Sequence, residues 1–499
     1  MASLTVDAGV TAFPRRELRT IIFGVMLAML LAGLDQTIVA PALPTIGREL
    51  GDFSAIGWVA TAYLLSSTAV TPIYGKLSDL YGRRRLLLVA IAIFSVGSLL
   101  CALAPDMLSL IAARGLQGVG GGGLIALANT VVGDVISPRE RGRYQGYFAS
   151  TYAFSSVAGP LLGGVFAERF SWTLIFWINL PLCAIAAVII ERTLRRLPVR
   201  GTRHHIDYPG SLLMVAATLA LLLAVTWGGQ RYGWLSAPIL GLLAAALLLG
   251  AAFVWRQGVA SEPVLPLPLL RNPVIRLSAA VGLLIMLVNV SVIVYLPLYL
   301  ELCRGLSAGQ AGVVLIPEMI GVVLGAVVSG QYMRLVGRYK KVPIAGAALA
   351  ALALLLLGIA ADRIGVLGVA GGLLAIGIGL GTTMPALLVA TQNATTPGDL
   401  GTATAVHTFF RTLGGAVGIA ALGAVLLGSL AASGSALAPG SDLAMLLEAA
   451  REPALVAAAG TAFSRFFLVG AGLTALSVLG LVVLKEIPLR HRPAASAAE

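Results

Sequence analysis

The segment Gly75 to Gly82 (GKLSDLYG), followed by Arg83, Arg84 and Arg85, recurs in altered form at Gly330 to Lys341 (GQYMRLVGRYKK), 255 residues further on. Each copy lies in a short basic loop between two long apolar runs. A second pair, Ser137-Pro138-Arg139-Glu140-Arg141-Gly142 and Thr396-Pro397-Gly398-Asp399-Leu400-Gly401, repeats at an offset of 259. Two signatures at nearly one offset imply a chain built from two equivalent halves. Duplicated halves of this kind are the usual framework of secondary transporters, which hold cargo near mid-bilayer between the repeats.

A bilayer is the only solvent that suits the rest of the chain. Of 499 residues 58% are hydrophobic and 11% charged, too few charges to keep a globule of this size in water. A membrane span needs about 20 mostly apolar residues, and fourteen runs of that kind can be counted, from 18–40 to 463–484. Subtracting the repeat offset pairs runs 1 to 6 with runs 9 to 14 and leaves 7 and 8 as an insertion. The expectation is an all-α membrane fold of 14 helices arranged 6 + 2 + 6. Its boundaries are a first bundle over 1–191, a basic linker 192–207, two inserted helices over 208–257, a linker 258–273, a second bundle over 274–485 and a tail 486–499. Pro263 to Pro273 (PVLPLPLLRNP) reads as too proline-rich for helix. Asp442 to Ala459, between runs 13 and 14, has apolar residues at helical spacing and suggests a short interfacial helix.

The net charge of +12 does not point to nucleic acid. With a cytoplasmic N-terminus, inner segments hold 25 of the 34 Lys and Arg, outer segments hold 7, and Arg114 and Arg411 lie within spans. That bias is the positive-inside rule, and an even number of spans returns Lys485 to the cytoplasm. The expected location is therefore the cell membrane with both termini inside. The first run is too long for a signal peptide and lacks a small-residue cleavage site, so it reads as retained. Cys101, Cys183 and Cys303 are too scattered for a disulfide framework. The four histidines, with His204 and His205 adjacent, form no metal-ligand cluster. Gly118 to Gly123 (GVGGGG) matches a dinucleotide-binding pattern, but no strand precedes it and it lies in an apolar run, where small residues let helices touch. No phosphate-binding Gly-x-x-x-x-Gly-Lys-Ser/Thr sequence occurs. Neither a cofactor nor ATP is expected, and an ion gradient is the natural energy source.

Four motifs carry a family likeness: LDQTIVAPALP (Leu34 to Pro44), GKLSDLYGRR (Gly75 to Arg84), RGLQGVGGG (Arg114 to Gly122) and GPLLGG (Gly159 to Gly164). With them the chain resembles a major facilitator superfamily transporter of the fourteen-span drug:proton antiporter branch, over nearly its whole length. The resemblance implies export of small amphipathic, cationic compounds in exchange for protons. The same fold would also serve an exporter of one lipid, siderophore or antibiotic, or, less readily, a nutrient symporter. An enzyme would want a polar cluster at one membrane face, and the sequence offers none.

Residue by residue, the second motif implies an inner gate. Gly75 and Gly82 allow a tight turn and close helix approach, Asp79 suits a helix N-terminus or a basic partner, and Arg83 and its neighbours anchor to anionic lipid headgroups. Asp134, at the inner end of the fourth run, is its expected partner, and His407 with Arg411, four residues apart on one helix face, is expected to join Asp134 or Asp79. In the fourth motif Gly159, Pro160, Gly163 and Gly164 can kink and pack the fifth helix; the resemblance associates them with antiport.

Charges inside the spans are the sharpest clues, because each costs at least about 3 kcal/mol at mid-bilayer unless it meets water or a partner. Asp35 and Glu318 are the candidate carboxylates. Each either pairs with Arg114 or Arg411, or gains and loses a proton as a cavity closes and opens. The resemblance implies proton coupling for Asp35, and proton relay or stabilisation of central helices for Arg114; bonding to backbone carbonyls is the plain alternative. Trp58, Tyr63, Tyr152, Phe154, Tyr295, Phe409 and Phe410 are candidates for an aromatic pocket that, with Asp35 and Glu318, would attract planar cations.

Overall fold

The computed structural model describes residues 15–51, 55–196, 207–229, 231–361, 363–432 and 453–489. Its long helices are α1 (Arg15–Ile38), α2 (Gly57–Tyr81), α3 (Arg83–Ala102), α4 (Met107–Val135), α5 (Pro138–Arg169) and α6 (Asn179–Thr193) in the first part of the chain. Helices α7 (Tyr208–Trp227) and α8 (Ala237–Val259) follow. The remainder comprises α9 (Pro273–Arg304), α10 (Ala308–Val336), α11 (Lys341–Ile359), α12 (Val366–Asn393), α13 (Leu400–Ala432) and α14 (Pro453–Val483). Among the described residues extended pairing is confined to one bridge between Gly228 and Tyr232. Backbone groups in hydrocarbon must bond within their own segment, which makes helix the state these apolar runs adopt.

Among the described residues twelve helices are long and apolar enough to cross a membrane, so the protein is a multi-pass membrane protein. Helices α2 and α5 fall outside that set because serine, threonine, tyrosine, glycine and proline lower their hydropathy even over the charge-free stretches 57–75 and 144–167. At 1.5 Å per residue the 32-residue α5 and 33-residue α13 overrun a hydrocarbon core of about 30 Å and tilt or project from it. Polar side chains start several helices. Asp106 and Ser109 form a capping box before α4, Ser307 and Gln310 another before α10, and Asn272 accepts the amide of Val274 at 3.0 Å before α9. Each satisfies amides that would otherwise be orphaned.

Three loop expectations need correction. GKLSDLYG is helical through Tyr81, and the turn contracts to Gly82 at φ 88°; in the second copy α10 runs to Val336 and Gly337 turns at φ 72°. Of the glycines in the two copies, Gly82 and Gly337 adopt the positive φ that favours glycine, whereas Gly75 and Gly330 do not. Ser137 to Gly142 is mostly the first turns of α5, because Pro138 at the first helical position costs no hydrogen bond. Pro263 to Pro273 includes a short helix, Leu267–Arg271. Of the suggested interfacial helix, 442–452 lies outside the described residues and the remainder belongs to α14. His204 and His205, most of the linker 192–207 and the end of the tail also lie outside the described residues.

The apolar interior divides as the repeat does. One buried cluster contains only residues from Val274 onward, centred on Tyr299, Phe463, Phe466 and Phe467. Two others contain no residue beyond Leu194. A small fourth cluster joins Leu65 of α2, Leu222 of α7 and Leu413 of α13, so α7 wedges against the seam between the halves, while α8 is mostly exposed at the periphery. Glycines bring backbones together within each half: a Cβ on Gly120 would meet the Phe94 nitrogen at 2.5 Å, and one on Gly379 would meet the Ala350 nitrogen at 2.9 Å. Close approach of this kind is how helices associate where lipid removes the hydrophobic driving force.

Candidate functional site

The repeated signatures meet across the seam. Gly75 of α2 packs on Gly401 of α13, with room for a Cβ lost to the Gly401 carbonyl at 2.7 Å, and Gly330 of α10 packs on Gly142 of α5 in the same manner. Each half thus presses its first signature on the other half's second. At the first crossing the Asp79 carboxylate accepts the backbone amides of Gly401 (2.9 Å) and Thr402 (2.7 Å) and the Thr402 hydroxyl (2.7 Å). It occupies the N-terminus of α13, where the helix dipole and free amides favour an anion. Arg83 holds it from behind at 2.6 Å and reaches Asp134 at 2.7 Å. Burial pushes the Asp79 carboxyl upward from its ordinary range, opposed by Arg83 and the Thr402 bonds. At the second crossing Arg334 stands where Asp79 would be, and the bonding runs the other way: Arg139 donates to the carbonyls of Arg334 (2.8 Å) and Leu335 (3.0 Å). Arg141 and Gln392 extend the polar seam, Gln392 donating to the Asn129 carbonyl at 3.2 Å. This end of the molecule is shut.

His407 and Arg411 do not join that latch. Residue 407 lies six positions beyond Gly401, about 9 Å deeper along α13, and Asp79 and Asp134 are already satisfied. His407 is buried against Gly282, with Nδ1 unpartnered among the described residues.

Within the first half Asp35 is completely buried. Its carboxylate pairs with Arg114 at 2.5 Å and accepts the amides of Gln117 (2.7 Å) and Asn179 (3.1 Å). Arg114 also donates to the Val59 carbonyl at 3.0 Å and lies 4.5 Å over the Tyr63 ring. Both the structural pairing and the carbonyl bond considered for these residues are therefore present. In the second half Glu318 is 1% exposed. One carboxylate oxygen accepts the Asn289 amide at 3.1 Å; the other has no partner among the described residues, and neither arginine reaches it.

Between the halves, beyond the latch, lies a cavity of about 410 Å³. Its walls come from α2, α4, α5, α7, α9 and α13, with Gln36 from α1. Leu64, Leu65, Ile125, Leu222, Met286 and Val290 make it apolar; Thr61, Thr68, Thr226, Thr408 and Thr412 line it with hydroxyls. Tyr152 and Arg411 both line it. Neither Asp35 nor Glu318 belongs to the wall, and of the seven aromatic candidates only Tyr152 does. The others are corrected by their packing. Tyr63 stacks on Arg114, Trp58 lies edge-on to Trp227, and Tyr295 donates to the Ile419 carbonyl. Phe409 and Phe410 pack on each other, and Phe154 is 61% exposed on the outer surface.

Two bundles meeting at a latch around a central chamber are the arrangement that the family comparison decides. The family model for the Major Facilitator Superfamily matches residues 25–206 and 210–419. The chain belongs to the major facilitator superfamily. An uncharacterized MFS-type transporter of Mycobacterium tuberculosis is 36% identical over 94% of this chain and 70% of its own length. The multidrug transporter protein MdtP of Bacillus subtilis is 36% identical over 81% of this chain and 75% of its own. The solved structure of the proton:xylose symporter XylE, at 14% identity, superimposes with a TM-score of 0.65 over 97% of this chain and 99% of that one, a likeness of fold alone. As a superfamily member this protein is a transporter.

For this major facilitator chain the remaining motif is a packing device. Gly159 and Gly163 of α5 receive α1, a Cβ on Gly159 meeting that of Thr37 at 2.8 Å, and Thr37 donates to the Ser155 carbonyl at 2.8 Å. Gly164 faces open space and Pro160 lies exposed. The polar residues missed in the sequence are Gln117, Asn179 and Asn289, which set the carboxylates, and the threonines of the wall. Their signal was available: uncharged amides are as conspicuous in apolar runs as charges are, once looked for.

Proposed function

We propose that this superfamily member is a proton-coupled antiporter of the cell membrane, exporting small amphipathic compounds by alternating access. In this reading fourteen helices are arranged 6 + 2 + 6, with 1–191 and 274–485 as the two bundles and α7 and α8 inserted between them. Both termini are cytoplasmic, as the basic loops favour, so the latch closes the cytoplasmic side and the chamber opens outward. The relatives named as multidrug transporters support export.

The observation that carries the coupling is Glu318, a fully buried acid with one oxygen unsatisfied and no cation beside it. An ionised carboxylate is costly there and a protonated one is not. Rocking of the halves that brings water to Glu318 lets its proton leave; closure requires a proton to return. Asp35, already matched by Arg114, has much less reason to change state. Each charge moved across the membrane is worth about 2.3 kcal/mol per 100 mV, so one proton supports a substantial concentration ratio. No nucleotide or other cofactor enters the cycle. The cationic preference implied by the family resemblance finds no carboxylate in the chamber wall to serve it, since neither Asp35 nor Glu318 lines the chamber.

Everted vesicles containing the full chain provide the test. Adding a transported dye should release protons from acidified vesicles, and Glu318→Gln should abolish the release while leaving gradient-independent dye exchange intact. Dye-dependent proton release that persists in Glu318→Gln would refute this assignment of the proton site.

A further inference from the structure

We propose that the central chamber takes an amphipathic anion, with the Arg411 guanidinium as its counter-charge. This deepens the exporter reading by naming the cargo of the same chamber. Among the described residues that form the wall, Arg411 is the charged one. Hydroxyls and the Gln36 amide donate or accept with equal ease and so suit ligands of either sign. The sign is set by Arg411.

The two mid-membrane arginines make the contrast. Arg114 is fully neutralised by Asp35 and bonded to Gln117 and Val59. Arg411 is the twelfth residue of α13, about 17 Å along the helix from its latched end, and among the described residues no carboxylate pairs with it. Tyr152 shares the chamber wall with it and offers a dipole, and His407, one turn earlier on α13, offers no negative charge. A guanidinium at that depth is retained only where water or an anion meets it. The chamber supplies the space: its volume falls within the range of small-molecule sites, and its leucines, Met286 and Val290 receive an apolar body while Arg411 holds a carboxylate, sulfonate or phosphate in the fork geometry suited to it.

Charge bookkeeping then separates anion from cation cargo. Exchange of one inward proton for one outward monoanion moves two charges in the same electrical sense, whereas exchange for a monocation moves none. A membrane potential alone, inside negative, therefore drives the proposed exchange without a pH gradient.

Three probes share a dansyl group and differ in the arm it carries: dansylglycine (a short anionic arm), dansylamide (neutral, no arm) and dansylcadaverine (a longer cationic arm, whose extra methylenes by themselves favour binding to an apolar wall). Binding to the full chain in lipid nanodiscs, corrected for empty nanodiscs, should favour dansylglycine at least tenfold over dansylcadaverine. Arg411→Gln should erase that preference and Arg411→Lys should keep most of it. The wild-type ranking needs no variant, so a misfolded Arg411→Gln protein does not rescue the idea. Equal binding of the three at any level, a preference for dansylcadaverine, or an unchanged ranking in a folded Arg411→Gln protein would overturn it. Anion binding that passes these tests without proton-driven movement in proteoliposomes would instead sink the exporter reading and leave the ligand class standing.

Discussion

Each half of the molecule buries one acid among its helices, and the two acids are treated oppositely. In the first half Asp35 on α1 meets Arg114 on α4, with Tyr63 of α2 stacked on the guanidinium. At the repeat offsets of 255 and 259 the second half places Glu318 opposite Tyr63 and Leu373 opposite Arg114, and one residue short of the first offset it places Asn289 opposite Asp35. The acid has moved from the first helix to the second, the amide has taken its former place and still reaches it, and the cation has become a leucine. Duplication supplied one frame. One copy became a neutral, fully bonded fixture and the other kept an acid with an open valence. The latch shows the same divergence, an anion capping a helix at Asp79 and a cation meeting carbonyls at Arg139.

The largest expected effect comes from breaking the satisfied copy. Arg114→Leu leaves the Asp35 carboxylate buried without its cation and should cost about 3–5 kcal/mol, seen as a lowered thermal midpoint of the purified protein; a change under about 1 kcal/mol would mean that the pair is not the fixture described. Next in size, Asp35→Asn combined with Arg114→Leu gives the first half the amide and leucine of the second. The double variant should recover up to about 3 kcal/mol relative to the sum of the single losses, and strict additivity would break the comparison. Asp79→Asn removes the charge from three hydrogen bonds, each worth about 1.5–3 kcal/mol when charged. Part of that loss should appear as faster hydrogen exchange at the first amides of α13, with little change in α10. The smallest stability effect is expected for Glu318→Gln, within about 1 kcal/mol, because one neutral hydrogen bond replaces one weak one; a loss as large as that of Arg114→Leu would place Glu318 among the structural residues.

The apolar runs located the helices to within a few residues at most ends, because length and hydropathy are local properties. The repeat offset foretold that Gly75 and Gly401 have symmetric counterparts, yet not that they touch: contact between segments 322–326 residues apart is settled by how the bundles dock. Asp79, Arg83 and Asp134 were legible as a group because the motif sets an acid one helical turn from an arginine at the same end of the bundle as the second acid. The chamber was not. Aromatic residues drew attention by type, whereas its wall is set by which side of each helix faces the seam, and most of those positions are threonine, leucine or small residues with no signature of their own. Likewise Asp35 and Glu318 were found by their charge, but only the fold shows that one is matched by an arginine and the other is not.

The Asp79 contacts also bear on how the molecule is made. Arg83 and Asp134 are available as soon as the fourth helix has been synthesised, but the amides that Asp79 accepts belong to Gly401 and Thr402, more than three hundred residues later. Domains emerge from the ribosome in order, so a newly inserted first bundle carries an empty, anionic socket at its latch end until α13 arrives. Such a socket is a docking address written in advance, and it gives two separately expressed halves a specific means of finding each other.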